Sequence, residues 1–187
     1  MNKQLPIATY GMDVLTKKTV PVKEITLELI KTIENMFFTM HEADGIGLAA
    51  PQIGINSSFL VIDVSFLKEY SDVKPLTMIN PKIVDSHGEW FSEEGCLSIP
   101  GIRVEVPRAE KIFVKYTDAN MKEVELEADK LLGRVIQHEV DHLNGKLFID
   151  YLNAEQKKEI KKELDKIKKG KVEAPYPLII NKDKFIY

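Results

Sequence analysis

Two histidines four residues apart constrain this chain more than any other feature. His138 and His142 lie in residues 137–145, whose sequence is QHEVDHLNG. On a helix, positions i and i+4 lie above one another on one face, so both imidazoles can bind the same metal ion. Glu139 is rotated by about 100° from His138, beside that ion, where a carboxylate can take a proton from an activated water molecule. The stretch therefore predicts the site of a metal-dependent hydrolase.

The helical conformation of this stretch is predicted without the histidines. Asp129 can cap a helix start, and Asn144-Gly145 is a typical stop signal. Between them, the apolar residues that recur at helical spacing are Leu131, Leu132, Val135, Ile136, Val140 and Leu143. We therefore predict a helix from about 129 to 143, with the histidines on the same face as Leu131 and Val135. The alternative is a pair of hydrogen-bonded histidines on a half-buried helix, without a metal ion.

The third ligand determines the class of site. A metalloprotease with three histidines would need a histidine at position 148, where this chain has Phe148, so that class is excluded. Three glutamates could act from a second helix, but they lie in a lysine-rich segment typical of a solvated helix: Glu155, Glu159 and Glu163. The remaining candidate is Cys96, the only cysteine in the chain. One cysteine and two histidines would leave a fourth position open for water.

Three motifs, in this order, resemble those of peptide deformylase. They are residues 45–52 (GIGLAAPQ), residues 94–98 (EGCLS) and residues 138–142 (HEVDH). The last pattern also occurs in unrelated proteases, whereas all three in order over about 100 residues make a strong match. The resemblance extends from the N-terminal segment to the lysine-rich segment, and the end of the chain differs.

The resemblance implies a reaction and a role for each site residue. A divalent metal ion would activate water for attack on the formyl carbon of an N-formyl-methionyl peptide, and formate would be released. The implied metal ligands are Cys96, His138 and His142. Glu139 would act first as general base and then as general acid. The side-chain amide of Gln52 and the backbone N–H of Leu97 would hold the developing oxyanion.

The resemblance also implies the substrate contacts. Residues that match the methionine pocket or the peptide-backbone contacts are Ile46, Gly47, Leu131 and Val135, and Arg103 matches a position along the peptide path. Arg134 departs from the family, in which many relatives carry an apolar residue at this position. We expect its aliphatic stem to line the pocket while the guanidinium reaches solvent.

The metal is implied by the family more than by the ligands. Cysteine and imidazole suit zinc, yet they also bind ferrous iron, cobalt and nickel. Because the family is typically ferrous, we predict one Fe²⁺ per chain as the working metal, with Zn²⁺, Ni²⁺ or Co²⁺ able to substitute.

The rest of the chain predicts an α+β fold. Apolar residues at helical spacing indicate a helix over about 26–42, and residues 154–169 indicate a second surface helix. Apolar or alternating segments predict strands at 58–64, 77–84, 102–106, 111–116 and 122–128, the last two joined by a turn at 118–120. Residues 44–52 are expected to be irregular, and Cys96 to lie in a loop between strands. We predict mostly antiparallel sheets packed around a central metal-binding helix, with an N-terminal and a C-terminal helix.

Length and charge limit the organisation and the partners. The 187 residues fit one catalytic domain over 1–187, with 172–187 as an extra tail that forms a strand or an arm packed on the domain. A net charge of −3 gives no reason to expect DNA binding, and without a signal peptide or membrane span we expect a cytoplasmic enzyme. Residues 157–171 carry a local charge of +5, usually a solvated face. In some bacterial deformylases such a basic C-terminal helix contacts the ribosome, and we retain this hypothesis.

Three functions therefore remain open. The leading one is an N-formyl hydrolase acting on newly made polypeptides. A zinc endopeptidase would use the same helix but a third ligand other than Cys96, and a structural metal site would need four protein ligands. Three well-placed ligands and an otherwise unneeded Glu139 favour catalysis.

Overall fold

The structure, a computed structural model, describes residues 2–181 and 184–186, with side chains up to residue 180. In chain order the elements are β1 (Ile7–Ala8), α1 (Leu27–Glu42), β2 (Gly47–Ala49), β3 (Phe59–Ile62), β4 (Leu76–His87), β5 (Trp90–Cys96), β6 (Ile99–Arg108), β7 (Lys111–Thr117), β8 (Glu123–Asp129), α2 (Lys130–Leu143), α3 (Ala154–Lys168), β9 (Leu178–Asn181) and β10 (Lys184–Ile186). Within the described residues, no helix has both the length and the apolar character needed to cross a membrane.

The largest sheet carries the main core. Its five strands lie in the order β2-β3-β4-β7-β8, and every neighbouring pair is antiparallel. Apolar side chains of the sheet pack against those of α2, and the buried residues of this cluster include Leu60, Ile62, Met78, Ile112, Val114, Val135, Ile136 and Val140. β5 and β6 form a separate antiparallel pair. The predicted α+β class, with mostly antiparallel sheets around a central helix, is confirmed.

The central helix α2 begins and ends close to the predicted bounds. Asp129 occupies the N-cap position, although its side chain accepts no hydrogen bond from the first turn. Gly145 follows the helix with a φ of +71°, a left-handed conformation that favours glycine. A Cβ there would also collide with the backbone of Thr16, so the stop signal has both a conformational and a packing reason. The helix is buried along most of its length.

Most of the other predicted elements are also confirmed. α1 starts after Thr26, whose hydroxyl accepts a hydrogen bond from the Leu29 N–H. The predicted strands appear as β3, β4, β6, β7 and β8. The turn between β7 and β8 is held by Asp118, whose carboxylate accepts hydrogen bonds from the backbone N–H groups of Asn120 and Lys122.

Two local predictions are wrong. Within residues 44–52, Gly47–Ala49 forms the edge strand β2, because the neighbouring strand β3 supplies its hydrogen-bond partners. Cys96 is the last residue of β5 and not part of a loop, since it still pairs with Ile99 of β6. The polar sequence of β5 gives no strand pattern by itself, and its pairing with β6 is a tertiary effect.

The C-terminal region folds back onto the start of the chain. α3 is capped by Asn153 and buries Leu164 and Ile167. The predicted tail strand is confirmed for its described part, because β9 pairs in parallel with β1, and Leu178 lies opposite Ile7. Residues 182, 183 and 187 of the predicted tail 172–187 lie outside the described residues.

Candidate active site

A cavity of about 630 Å³ opens beside α2. It is bounded by the residues around β2, by β5 and β6, by α2 and by residues 173–176. The predicted site residues that line it are Ile46, Gly47, Gln52, Cys96, Leu97, Arg103, Leu131, Val135, His138 and Glu139. The remaining predicted residue, His142, is buried and contacts Cys96. The volume of the cavity falls within the range usual for small-ligand sites.

Cys96, His138 and His142 form a group that fits a single metal ion. Their candidate ligand atoms all lie within 4.8 Å of one another, and Cys96 Sγ is 3.2 Å from His142 Nε2. An ion bound tetrahedrally at the usual Zn–S and Zn–N lengths separates such atoms by about 3.5 Å. Glu155, Glu159 and Glu163 on α3 are not part of this group. The donor set therefore agrees with the predicted ligands and not with a glutamate from the second helix.

Glu94, which was not predicted as a site residue, has a buried carboxylate that hydrogen-bonds to three side chains. One carboxylate oxygen is 2.9 Å from His138 Nδ1 and accepts a second hydrogen bond from Arg108 at 3.0 Å. The other oxygen accepts hydrogen bonds from Arg108 at 2.9 Å and from Arg134 at 2.6 Å. With Nδ1–H donated to Glu94, Nε2 of His138 is the nitrogen left to bind an ion. Burial opposes ionisation, but hydrogen bonds from His138 and Arg108 lower the pKa of Glu94 to about 2.

A strand period of two is the signal that could have identified Glu94. In a strand, residues i and i+2 point to the same face, so a carboxylate two positions before Cys96 lies on the ligand side. That inference requires 94–96 to be a strand, and the sequence did not predict one.

The expectation for Arg134 is wrong for its guanidinium. Its side chain lines the cavity, but the guanidinium is buried and does not reach solvent. It donates hydrogen bonds to Glu94 and to the backbone carbonyls of Trp90 and Val106. It also lies over the Trp90 ring, 4.6 Å from the centroid. The guanidinium turns inward because β5 and β6 present a carboxylate, carbonyl oxygens and an aromatic face together.

Glu139 has surroundings unlike those of Glu94. Its side chain is buried, and Oε2 has no hydrogen-bond partner among the residues that the structure describes. Burial raises the pKa of Glu139 to about 7. A Cβ added at Gly47 would collide with this carboxylate, so the glycine of β2 makes the room that the side chain occupies. A carboxylate with a pKa near neutrality can both accept and return a proton.

Two hydrogen-bond donors lie next to the metal-binding group. Gln52 Oε1 accepts a hydrogen bond from the Ala49 N–H at 2.7 Å, which leaves the amide nitrogen 3.4 Å from Cys96 Sγ. The N–H of Leu97, the residue after Cys96, donates to no acceptor in the described part of the chain. Such donors can stabilise an oxygen that gains negative charge during a reaction.

The outer part of the cavity combines apolar and charged residues. Ile46, Leu131 and Val135 contribute apolar side chains, and Arg103 is exposed, with its Nε 2.6 Å from the carboxylate of Glu93. Residues 173–176 form a further part of the wall that the sequence analysis did not predict. No motif marks this contribution, because it depends on where β9 places the tail.

The sequence is similar to that of known peptide deformylases. Residues 4–158 match the family model described as polypeptide deformylase. A curated peptide deformylase of Chlorobium luteolum is 45% identical over 174 residues, which cover 93% of this chain and 92% of that protein. A peptide deformylase of Salinibacter ruber is 43% identical over 190 residues and covers 97% of each chain.

Solved structures agree with the sequence relatives. The crystal structure of a peptide deformylase from Legionella pneumophila superposes with a TM-score of 0.82 at 41% identity, covering 90% of this chain and 98% of that one. A peptide deformylase from Synechococcus elongatus in complex with actinonin has a TM-score of 0.78 at 44% identity, covering 89% of this chain and 87% of that one.

Proposed function

The chain belongs to the polypeptide deformylase family, and from this premise we propose which of its residues carry the reaction. It is a metal-dependent hydrolase that removes the N-formyl group from nascent peptides. We assign the proton transfers to Glu139, and the observation that carries this assignment is its buried carboxylate, which lacks a partner for Oε2 among the described residues. The predicted ligands of the ion are Cys96, His138 and His142.

Each residue around the metal-binding group has a separate role in the proposed reaction. When bound, the ion would act as a Lewis acid and make a water molecule nucleophilic near neutral pH. Glu139 takes a proton as the water oxygen bonds to the formyl carbon, and it returns this proton to the amine nitrogen as the C–N bond breaks. Gln52 and the Leu97 N–H donate hydrogen bonds to the formyl oxygen. Formate and a free amino terminus result, and the Glu139 carboxylate is regenerated.

Other residues of the cavity contact the substrate in this proposal. We propose that Ile46, Leu131 and Val135 enclose the methionine side chain, since they are apolar residues that line the same cavity as Glu139. The backbone of Gly47 contacts the peptide, and Arg103 lies along the path of the following residues. The position of Arg103 at the exposed side of the cavity supports this path.

The reaction is tested by formate release from an N-formyl-methionyl peptide, with the N-acetyl peptide as a matched control. We expect formate and new amino termini in equal amounts, lost on chelation and restored by adding a divalent metal. Cleavage of internal peptide bonds without formate would instead identify an endopeptidase. A bound ion with no turnover would indicate a structural site.

We propose that the working metal is Fe²⁺. The thiolate and two imidazoles accept several first-row ions, so the family supports this choice more than the ligands do. Protein stripped of metal and reloaded without oxygen tests the choice. We expect the highest activity with iron and measurable activity with nickel, cobalt or zinc, and full activity with zinc but none with iron would contradict the choice.

We propose further that residues 1–187 form one catalytic domain that works in the cytoplasm and contacts the ribosome weakly through α3. The exposed lysines that line one surface of this helix and its end are Lys158, Lys161, Lys162, Lys166, Lys169 and Lys171. Deletion after Tyr151 would remove Leu164 and Ile167 from the core, so substitution is the sharper test.

The ribosome contact is tested by exchanging charges on two surfaces. Changing Lys158, Lys161 and Lys162 to Glu should reduce co-sedimentation with ribosomes and leave hydrolysis of short peptides unchanged. The matched control carries the same substitution at three exposed lysines elsewhere: Lys68, Lys74 and Lys82. Equal co-sedimentation of both variants would contradict the proposal.

A further inference from the structure

The tail contacts the active-site turn through one tyrosine. Tyr176 lies in residues 173–176, which line the cavity although the family match ends at residue 158. Its side chain is 9% exposed, and its hydroxyl donates a hydrogen bond of 3.0 Å to the carbonyl oxygen of Leu97. The residue whose N–H faces the reaction is therefore held on its carbonyl side by the tail.

The turn after Cys96 is anchored at two successive carbonyl groups. Tyr176 binds that of Leu97, and the backbone N–H of Tyr10 donates to that of Ser98 at 2.9 Å. These anchors come from opposite ends of the chain, yet β1 and β9 join them. Ile7 N–H donates to the Pro177 carbonyl at 2.8 Å, next to the parallel pairing of the two strands. The two ends thus form one support beneath the turn.

This support restrains the direction of the Leu97 N–H. The N–H and the carbonyl of Leu97 belong to adjacent rigid peptide planes that share one Cα, so only φ and ψ of Leu97 relate them. The side chain of Leu97 also packs in a cluster with Ile7, Tyr176 and Leu178, which limits its rotation. A hydrogen-bond donor stabilises a transition state only when it is already aimed at the oxygen that gains charge.

We propose that Tyr176 is a positioning residue that aims the Leu97 N–H at the formyl oxygen, so that the C-terminal tail is part of the active site. This inference rests on the proposed role of Leu97 as oxyanion donor. Tyr176 itself does not touch the substrate in this role. It acts on turnover through the backbone of the turn.

The test is Tyr176→Phe in the full-length protein, which removes one hydroxyl and keeps the ring. Tyr116→Phe is the matched control, since Tyr116 is also a buried tyrosine, 8% exposed, and packs in the core cluster of the five-stranded sheet. We expect Tyr176→Phe to lower kcat about tenfold with KM unchanged, a fraction of the loss caused by removing an oxyanion donor. Tyr116→Phe should leave both constants unchanged.

Two further measurements separate positioning from other effects. The visible spectrum of the cobalt-loaded protein should be the same in all three proteins, because the ligands are intact. Amide hydrogen exchange at Tyr10, whose N–H donates to the Ser98 carbonyl of the same turn, should be faster in Tyr176→Phe alone. An unchanged kcat, a rise in KM alone, an altered cobalt spectrum or unchanged exchange at Tyr10 would each overturn the proposal.

Failure of this inference is distinguishable from failure of the proposed function. If the unsubstituted protein releases no formate, the proposed function is contradicted, and the exchange rate at Tyr10 still decides whether Tyr176 holds the turn. If the unsubstituted protein is active and both phenylalanine variants match it, only the positioning role is overturned.

Discussion

Two buried glutamates lie close to His138, and their surroundings shift their pKa values in opposite directions. The pKa of Glu94 is lowered to about 2, whereas burial raises that of Glu139 to about 7. Glu94 is in contact with Arg108, Arg134 and His138. Glu139 instead lies against Gly47, and its Oε2 is unpartnered among the described residues. The charge of a buried carboxylate therefore depends on how many hydrogen-bond donors and positive charges surround it, and not on burial alone.

This difference makes the two carboxylates suitable for different tasks. A permanently ionised Glu94 can hold the tautomer of His138 and stabilise two buried arginines, but it cannot exchange a proton near neutral pH. The proton transfer proposed for Glu139 needs a pKa near neutrality, which fits a buried carboxylate whose Oε2 has no partner among the described residues. Each of the following changes tests one side of this comparison.

The largest effect is expected for Glu139→Gln. Removing the general base should lower kcat by about 10² to 10⁴, while the free energy of unfolding should not fall, because an unpaired buried carboxyl is replaced by a neutral amide. Formate release and urea denaturation of the same preparation measure both quantities. Activity within tenfold of the unsubstituted enzyme would show that Glu139 is not the base.

Glu94→Gln should have the reverse profile, with stability as its main loss. Arg134 would keep a buried charge without a counterion, and Arg108 would keep only its ion pair with Asp141, so we expect about 3 to 5 kcal/mol of destabilisation. Metal affinity should also fall, by about 10- to 100-fold, because His138 loses its hydrogen-bond partner. Urea denaturation with and without metal separates these effects, and the double variant Glu94→Gln/Arg134→Met should regain part of the stability, because it removes the charge that lost its counterion.

Gly47→Ala should displace the Glu139 carboxylate without removing it. The new methyl group would collide with the carboxylate and push it from its position, at a cost of about 1 to 3 kcal/mol in stability or in the activation barrier. Steady-state kinetics and thermal unfolding measure the two contributions. In a Glu139→Gln background, the same change should cause no further loss of activity, and an independent loss would contradict the explanation.

The pH dependence of stability should report the raised pKa of Glu139. In metal-free protein the folded carboxyl keeps its proton up to about pH 7, whereas the unfolded one, with a pKa near 4.5, releases it earlier. The folded state therefore binds more protons in this window, and its stability falls as pH rises, by up to about 1.4 kcal/mol per pH unit. Denaturation between pH 4.5 and 7 should show this fall in the unsubstituted protein and not in Glu139→Gln.

The smallest effect is expected for Glu93→Gln, next to Glu94 in the sequence. Glu93 pairs with Arg103 at 2.6 Å, but both side chains are more than 60% exposed. An exposed ion pair contributes about 0 to 1 kcal/mol. Urea denaturation should therefore hardly distinguish this variant from the unsubstituted protein. A loss as large as that of Glu94→Gln would show that exposure does not separate the two neighbours.

Much of the fold and the set of candidate site residues could be predicted from local patterns. The histidine pair, the apolar periodicity of α2 and its stop signal are all contained in one short segment, and α1 and five strands follow from similar patterns. Cys96 could be proposed as a ligand because it is the only cysteine, and it lies within reach of both histidines. The roles assigned to Glu139, Gln52 and Leu97 remain predictions, although the structure brings all three to the same cavity.

The sequence by itself determined which groups are available for chemistry, because helix periodicity and motif spacing are local properties. Tertiary structure alone decided the charge state of those groups. Glu94 reaches Arg108 and Arg134 only after β5, β6 and α2 have packed together, and Tyr176 reaches Leu97 only after β9 has paired with β1. The physical reason is that hydrogen bonding and desolvation depend on neighbours that lie far apart in sequence, as the 79 residues between Leu97 and Tyr176 illustrate.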